Sequence, residues 1–560
     1  MLMKRLLILL FCFSLSFGIA DAQDVEQMIK QKPFAINGTL GLGIGTYNSS
    51  GIPARQRAFS YLFNGAPTIS IYGVSFPFSV VVSDQQRGFT QPFNQYGISP
   101  TYKWITVHAG WQSIQWSPYT LAGYNFLGGG VELNPGKLRF GFIYGRFNKA
   151  IEEDPALLTA FSQTPAYKRT GFSTKLGWGT ERNHFDFIML KAKDEVSSLK
   201  NKPSSLNLTP SENLVLGISS KFTFFKHFIF DIDASGSLYT RNLLADTVKN
   251  LKLDQVDFIK DLINLNASTQ LLTAGHTSLG YQGENYNVLV KYKRIDPDFK
   301  SMGAYYFETD VQNYTVEGGA KLLKGQMQLN GSFGVQNDNI LNDKAYQSNR
   351  KIGSINASFN KTDYGIDVRY SNYGITQDRG LNPIVDTLRV AKTNHNLNAM
   401  LRYSIADTVI SHSFILVGNI QSLVDLNPFT SAQSLSNSKT ANLSYQLGFP
   451  TMGLNFNASI NYTVADIYLG HTVFFGPSIG IGKDFFEGKL GLNAAMSFQQ
   501  QKNNKINAGN ILNGSLNGSY RFTKKNAANL SINYLKSNSK DITLPSFNEI
   551  YSNLTLSHSF

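Results

Sequence analysis

Apolar and polar residues alternate with a period of two along most of the chain. In 34–47, "FAINGTLGLGIGTY", the even positions from Phe34 to Ile44 are apolar residues or glycine, and the odd positions include Asn37 and Thr39. Successive side chains of a β-strand point to opposite faces of a sheet, so this alternation predicts strands with one apolar and one polar face. The pattern recurs at 227–240, 325–337, 511–522 and 549–560.

Template matching along the whole chain predicts about 24 such strands, with a range of about 20 to 26, each of about 10 to 14 residues. A tilted strand of that length can cross a bilayer, whereas no apolar run after residue 23 is long enough for a spanning helix. The sequence therefore predicts an all-β fold. We expect a single large transmembrane antiparallel up-and-down β-barrel.

The connections between these strands alternate between short and long. "NPGK" at 134 and "QGE" at 282 are short, whereas the connection 241–268 is the longest. A meander that crosses a bacterial outer membrane has short periplasmic turns and longer extracellular loops, and we expect that arrangement here. The link 83–100 is an exception to the alternation, and it leaves the register of the first four strands open.

The N-terminal residues have the pattern of a secretory signal. "MLMKR" is basic, "LLILLFCFSLSF" is apolar and "GIADAQ" offers a small-residue cleavage site. We predict a signal peptide over 1–22, cleaved after Ala22, then a short leader over 23–33 and the barrel over 34–560. A membrane anchor is the alternative, but twelve apolar residues are too few to span a bilayer as a helix. The only cysteine, Cys12, would leave with the signal.

The last strand alternates up to the final residue. Leu554 and Leu556 lie on its apolar face, and the chain ends at Phe560 without a turn or polar tail. An unpaired apolar edge promotes aggregation, so we predict that this strand pairs with the first one and closes the barrel.

Twelve charged residues fall on the polar face of their predicted strands. If the apolar face meets lipid, the polar face lines the lumen, because a cation at the bilayer midplane costs roughly 2 to 4 kcal/mol. The predicted lumen-lining residues are Glu132, Arg139, Lys175, Lys221, Asp231, Asp233, Lys291, Glu317, Lys321, Asp367, Arg369 and Arg402.

These charges are mixed in sign. If Pro135-Gly136 is a two-residue turn, Glu132 lies directly opposite Arg139 and the two charges neutralise each other. We interpret the set as a wetted wall, with a ligand site as the alternative and a weak preference for anions from the excess of lysine and arginine. The formal net charge of +13 is spread along the chain, which favours a solvated surface or anionic lipid and no nucleic-acid partner.

A lumen enclosed by so many strands needs a filler. Barrels of about 16 to 18 strands already hold an aqueous channel, and barrels of about 22 are plugged. The leader is too short for a plug domain, so the filler is expected to be the protein's own loops or another chain. In 253–266, "LDQVDFIKDLINLN", a helical stripe of Val256, Ile259 and Ile263 could constrict the lumen, with a short helix outside the mouth as the alternative.

Sequence motifs of enzymes are missing. The eight histidines show no HExxH spacing, and no G-x-S-x-G elbow or P-loop is present. We predict no catalytic residue, no metal ligand and no cofactor. His558, which falls on the lipid-facing side of the last strand, leaves a lipid-processing enzyme as a remote alternative.

With its signal peptide, its alternating strands and its terminal phenylalanine, the chain resembles outer-membrane β-barrel proteins of Gram-negative bacteria. The stretches 94–106 and 294–307 resemble uncharacterised barrels of Bacteroidota type. The resemblance implies an outer-membrane location with lipid as neighbour. It also implies that Phe560, with Leu554 and Leu556, forms the signal read by the barrel-insertion machinery.

Three functions are compatible with these observations. The first, which we expect, is a gated or loop-occluded porin-like channel for small polar solutes. The second is a structural or assembly subunit of a cell-envelope complex, with partner proteins in its lumen or at its rim. The third is the lipid-processing enzyme.

Overall fold

The computed structural model describes residues 33–72, 74–83, 97–152, 165–200, 208–247, 261–305, 308–541 and 544–560. The predicted signal peptide, the leader up to residue 32, Val256 and Ile259 lie outside these residues. Within the described ranges, no helix combines the length and the apolar character that crossing a bilayer requires.

The described residues form one continuous antiparallel sheet of 29 strand segments, all-β as predicted. The first ten are β1 (Phe34–Asn37), β2 (Thr39–Ser50), β3 (Phe59–Gly65), β4 (Thr68–Ile71), β5 (Val74–Ser83), β6 (Gly97–Ile98), β7 (Thr101–Tyr102), β8 (Ile105–Gln115), β9 (Ala122–Leu133) and β10 (Leu138–Asn148). The next ten are β11 (Arg169–Gly179), β12 (His184–Asp194), β13 (Glu212–Phe224), β14 (Phe228–Thr240), β15 (Thr269–Gln282), β16 (Tyr286–Ile295), β17 (Val311–Leu322), β18 (Met327–Asn337), β19 (Tyr346–Asn360) and β20 (Tyr364–Arg379). The last nine are β21 (Ala391–Ala406), β22 (Ser411–Asp425), β23 (Ser436–Phe449), β24 (Leu454–Ile467), β25 (Gly470–Phe485), β26 (Leu490–Asn503), β27 (Ile506–Arg521), β28 (Asn526–Ser539) and β29 (Phe547–Ser559).

The sheet closes on itself where the last strand meets the first. β29 pairs with β2 over twelve residue pairs, from Thr39 opposite Ser559 to Ser50 opposite Asn548. The backbone N–H of Phe560 also donates to the Gly38 carbonyl oxygen at 3.0 Å. The predicted closure is therefore confirmed, and neither β2 nor β29 is left as an unpaired edge.

The number of segments exceeds the predicted range of 20 to 26 because the first strands are interrupted. β1 and β2 are halves of one crossing broken at Gly38, as are β3 and β4 at Pro67, and β6 and β7 at Pro100. A proline has no N–H to donate to the sheet, so it breaks the alternation on which the prediction depended. Counting each of these three pairs once reduces the 29 segments to 26 crossings, and the prediction of 24 missed crossings in this region.

The connections alternate between the two rims as predicted. On the rim that also holds β1 and Phe560, the connections are tight turns, such as 134–137, 180–183, 225–227 and 361–363. We call this the short-turn rim. The opposite, long-loop rim carries longer connections, such as 149–168, 195–211 and 241–268, although 468–469 and 504–505 are short as well.

The two faces of the wall differ in chemistry. Outward positions carry exposed apolar side chains, such as Val290, Val316 and Phe333 on the adjacent strands β16, β17 and β18. Inward positions of the same strands carry Lys291, Glu317 and other polar residues. An apolar outer surface around a polar interior is the arrangement of a transmembrane β-barrel.

Charge on the outer surface is predicted to destabilise the barrel where the same charge inside does not. Leu554 is an outward residue near mid-strand in β29, opposite Ile44, and its neighbour Asn553 points inward. We expect Leu554→Lys to lower the free energy of unfolding by about 2 to 4 kcal/mol in lipid vesicles, because the ammonium group would enter the hydrocarbon. Denaturant unfolding followed by heat-modifiable gel mobility measures the loss. Asn553→Lys is the matched control, and an equal loss in both variants contradicts the assigned faces.

Candidate functional site: the barrel interior

All twelve charged residues predicted to line the lumen occupy inward positions of their strands. Nine of them, from Glu132 to Lys321, lie on strands β9 to β17, and Asp367, Arg369 and Arg402 lie on β20 and β21. The sequence pattern alone was sufficient for this placement, because alternation assigns a face to each residue once the strand is known.

The predicted pairing of Glu132 with Arg139 is wrong. The connection 134–137 spans four residues, so Glu132 lies opposite Gly141. Glu132 instead contacts His108 Nε2 at 3.2 Å and Lys175 Nζ at 3.4 Å. Lys175 is itself buried and lies over the Trp116 ring, at 5.2 Å from its centroid.

Arg139 pairs with Asp186, which is not among the predicted lumen-lining residues. Its Nε and Nη2 donate to the two carboxylate oxygens of Asp186 at 2.7 and 2.8 Å, which is the bidentate geometry of a strong ion pair. The bridge passes over β11 at Gly177, where an added Cβ would lie 1.8 Å from Asp186 Oδ1. A second bidentate pair joins Arg169 to Asp194, at 2.8 and 3.1 Å.

Further charges meet on β13 to β15. Lys221 lies opposite Asp231, whose Oδ1 is 3.1 Å from His276 Nε2. By contrast, Glu317 and Lys321 are four residues apart on β17, and Asp367 and Arg369 are two apart on β20. None of these four residues forms an ion pair with a described residue.

The connection between β8 and β9, residues 116–121, folds into the barrel and reaches the inner wall of β13 to β15. Ser117 Oγ donates to Asp233 Oδ1 at 2.7 Å, and Tyr119 Oη lies 3.1 Å from His276 Nδ1. The Thr120 side chain lies so close to β13 that a Cβ at Gly217 would be 2.8 Å from Thr120 Cγ2. We call residues 116–121 the first inward segment.

The connection between β16 and β17 supplies a second inward segment, residues 296–305. Ser301 Oγ donates to the Thr120 carbonyl oxygen at 2.5 Å, and the Ala122 N–H donates to the Gly303 carbonyl oxygen at 2.9 Å. Met302 N–H donates to Asn213 Oδ1 at 3.0 Å, and the Tyr305 ring stacks on Tyr124. The two inward segments thus support each other against the inner wall of β9 to β15.

Beneath the first inward segment lies an apolar cluster, in the interior of a barrel whose inner wall is otherwise mostly polar. Leu121 packs there with inward residues of the wall: Ile114, Phe126, Ile143, Phe147, Leu190 and Val215. Leu121, Leu190 and Val215 have no exposed surface. Because of this cluster both faces of β12 are apolar, so alternation alone does not assign them: Phe185 and Phe187 face outward, and Ile188 and Leu190 face inward.

At the long-loop rim, an aspartate outside the spanning strands, Asp310, immediately precedes β17. Asp310 accepts hydrogen bonds from the N–H groups of Asn339 and Ile340, both at 2.9 Å, and pairs with Lys344. Burial raises the pKa of Asp310, but Lys344 and the two backbone donors outweigh it and hold this pKa below its usual value. Asp310 therefore ties the start of β17 to the neighbouring loop 338–345.

The described residues of the long connection 241–268, namely 241–247 and 261–268, do not contribute to the inward segments. Its described part packs on outward positions at the long-loop ends of β13 and β14, where Asn264 contacts Glu212 and Thr240. Ile263, next to Asn264, is buried. The predicted constriction by Ile263 therefore has no support among the described residues, and the inward segments 116–121 and 296–305 take that place instead.

The opposite side of the lumen is lined by uncharged polar side chains. We call the inward positions of β23 to β28 the neutral wall. Its amide-bearing residues are Asn442, Gln446, Asn455, Asn457, Asn461, Asn493, Gln499, Gln501, Asn503, Asn513, Asn517, Asn529 and Asn533. The two inward charges of these strands, Asp484 and Arg521, lie within two residues of the short-turn rim.

The neutral wall is cross-linked by side-chain hydrogen bonds and faces a cavity. Asn442 donates to Asn461 at 2.7 Å, and Ser459 lies 2.6 Å from Ser478. Beside these residues is a cavity of about 580 Å³, whose lining also includes Tyr47, Tyr551, Glu549 and Arg55. Arg55 enters from the loop after β2 and lies 3.5 Å from Glu549.

No cluster of three or more metal-ligating side chains is found among the described residues. The lipid-facing His558 contacts Asn526 Oδ1 at 2.7 Å through Nδ1, and its ring lies edge-on to Phe560. Neither partner is a nucleophile.

Closed wall, apolar outer face and polar interior together define a membrane-spanning β-barrel. No family profile matches the chain. No curated protein matches it either.

Among solved structures, the chain is similar to OccAB2 of Acinetobacter baumannii, with 9% identity over 63% of this chain and 92% of that one, at a TM-score of 0.31. It is also similar to OccK2 (OpdF) of Pseudomonas aeruginosa, with 8% identity over 94% of this chain and 98% of that one, at a TM-score of 0.30. A third similar structure is the outer membrane protein OpdK of P. aeruginosa, with 9% identity over 63% of this chain and 94% of that one, at a TM-score of 0.31. Likenesses at these scores carry no argument about function.

The buried Arg139–Asp186 pair provides a test of the interior. Because Asp186 is 3% exposed, Arg139→Gln leaves a buried carboxylate without its partner, and we expect it to cost about 1 to 3 kcal/mol of unfolding free energy. Adding Asp186→Asn should restore part of the loss, which a double-mutant cycle measures. Lys321→Gln, an inward charge without such a pair, is the control and should stay within about 0.5 kcal/mol. Additive losses at Arg139 and Asp186 would refute the pairing.

Proposed function

We propose that the protein is a loop-occluded, porin-like channel for small polar solutes in the outer membrane of a Gram-negative bacterium. The observation that carries this proposal is the division of the lumen into two sides. One side is filled by the inward segments, and the other presents the neutral wall to a cavity.

The neutral wall favours uncharged solutes. Amide and hydroxyl groups can donate and accept hydrogen bonds without imposing a charge preference, so they can replace the hydration of a passing neutral polar molecule. Tyr47 and Tyr551 add aromatic surface at the cavity. The inward cations Arg139, Lys175 and Arg169 are committed to carboxylates, which removes much of the excess that suggested a preference for anions.

The inward segments support the loop-occluded part of the proposal. They are held by Ser117–Asp233, Tyr119–His276 and the apolar cluster, so they are part of the fold rather than loose loops above the mouth. They narrow the lumen on the side of β9 to β15 and leave the side of β23 to β28 for solute.

The other elements of the proposal concern biogenesis and origin. The outward apolar surface supports an outer-membrane location, and the signal pattern over 1–22 supports export. Phe560, Leu554 and Leu556 are proposed as the signal for the barrel-insertion machinery, in a protein of the Bacteroidota type that the sequence resembles. An assembly subunit and a lipid-processing enzyme are less well supported, because the first inward segment already fills part of the lumen and His558 has an asparagine partner.

Solute flux through reconstituted vesicles tests the proposed channel. We expect liposomes with the protein to swell faster than empty ones in a small neutral sugar, and the planar-bilayer current to show weak ion selectivity. Asn513→Asp with Asn533→Asp places two carboxylates on the neutral wall and should shift the reversal potential toward cation selectivity.

Asn382→Asp, in the loop 380–390, is the matched control and should leave the reversal potential unchanged. Absence of both swelling and current in correctly folded wild-type protein contradicts the channel and favours the assembly role. Unchanged selectivity in the double variant contradicts passage along the neutral wall.

A further inference from the structure

Charged residues on the outer surface occur only at certain distances from the short-turn rim, measured along the strands. From the short-turn rim upward, the outward positions of β8 to β29 carry apolar, small or uncharged polar residues, and the one charge near that rim is Lys483 of β25. The next outward charge is Lys191, seven residues from the short-turn end of β12.

Basic residues occur repeatedly at this upper height. Arg146, Lys191, Lys193 and Arg294 take outward positions on β10, β12 and β16. Lys351, Lys439, Lys502 and Lys536 take outward positions on β19, β23, β26 and β28. All eight lie seven to twelve residues from the short-turn end of their strands. We call them the cationic collar.

The height of the cationic collar matches the edge of a membrane. A strand rises about 3.4 Å per residue and tilts by about 35 to 45°, so seven to twelve residues correspond to roughly 18 to 31 Å along the barrel axis. The apolar band of such barrels is about 25 Å tall. The cationic collar therefore lies where the hydrocarbon ends, at the long-loop rim.

Outward carboxylates are fewer than the cations of the cationic collar, three against eight on the described strands, and Arg294 pairs with Asp296 of the connection after β16 at 3.3 Å. The outward carboxylates Glu212, Asp378 and Asp466 lie twelve to fourteen residues from the short-turn ends of their strands. Glu212 forms ion pairs with Lys191 and Lys193, whose Nζ atoms lie 3.6 and 4.0 Å from its carboxylate oxygens. The four lysines of β19, β23, β26 and β28 are exposed and form no ion pair with a described residue.

We propose that the cationic collar binds the phosphate groups of anionic lipids in the leaflet at the long-loop rim. Lysine ammonium groups at this height can reach the headgroups while their aliphatic stems lie along the apolar wall. The lysines of β19, β23, β26 and β28 have no acidic partner among the described residues, and a phosphate-bearing headgroup is an anion that occurs at this depth. The proposal depends on the membrane placement but not on channel activity.

Lipid binding by the full mature protein in nanodiscs tests this proposal. The probes are a fluorescent bisphosphorylated lipid A and, for comparison, a fluorescent zwitterionic phosphatidylcholine. Lys351→Gln, Lys439→Gln, Lys502→Gln and Lys536→Gln together should weaken lipid A binding by about tenfold or more, because each cation at the surface contributes attraction to an anionic lipid. Binding of phosphatidylcholine should not change.

A matched variant removes the same number of charges from the other rim: Lys226→Gln, Lys324→Gln, Lys361→Gln and Lys525→Gln, all in short turns. It should retain lipid A binding within about twofold of the wild type. Equal binding by the wild type and the collar variant overturns the proposal, and so does an equal loss in both variants, which would reflect net charge alone. Heat-modifiable mobility confirms that each variant is folded, and an intact sugar flux in the collar variant separates this outcome from failure of the channel.

Discussion

Every backbone N–H and C=O group in the hydrocarbon of a membrane must find its partner within the protein. The pairing of β29 with β2 meets this requirement, because it turns a sheet with two free edges into a closed wall. Closure also fixes the two environments of each strand, since alternate residues must face either lipid or lumen. The outward apolar surface and the polar interior follow from that single constraint.

The period of two predicted most of this wall. For β14, β18 and β27, the predicted strands agree with the structure to within five residues at the start and one residue at the end. The alternation failed where a proline interrupts pairing, at Pro67 and Pro100, because a broken strand has too few residues on either side to show a pattern. It failed also at β12, where both faces are apolar because the inward face packs against a loop rather than water.

The interior was only partly accessible to sequence reasoning. Alternation places Arg139 inside but does not assign a face to Asp186 on β12, and the contact between them depends on Gly177, which lets a bridge pass over the strand between them. Nothing local in the sequence states that 116–121 folds inward. The one available signal was indirect: Ile143, Leu190 and Val215 are apolar residues at positions that should be polar in a wet lumen. Such residues mark the place where a loop covers the wall.

The central claim is that consecutive residues of a strand face lipid and lumen in turn, and site-directed spin labelling tests it most directly. The single native cysteine, Cys12, lies in the predicted signal peptide, so labels can be placed one at a time along β17 from Gln312 to Lys321. In reconstituted protein, even positions such as Tyr314 and Val316 should be accessible to oxygen, which concentrates in the bilayer. Odd positions such as Thr315 and Glu317 should be accessible to a water-soluble nickel complex. Accessibility that does not alternate, or that alternates in the opposite phase, would contradict the account.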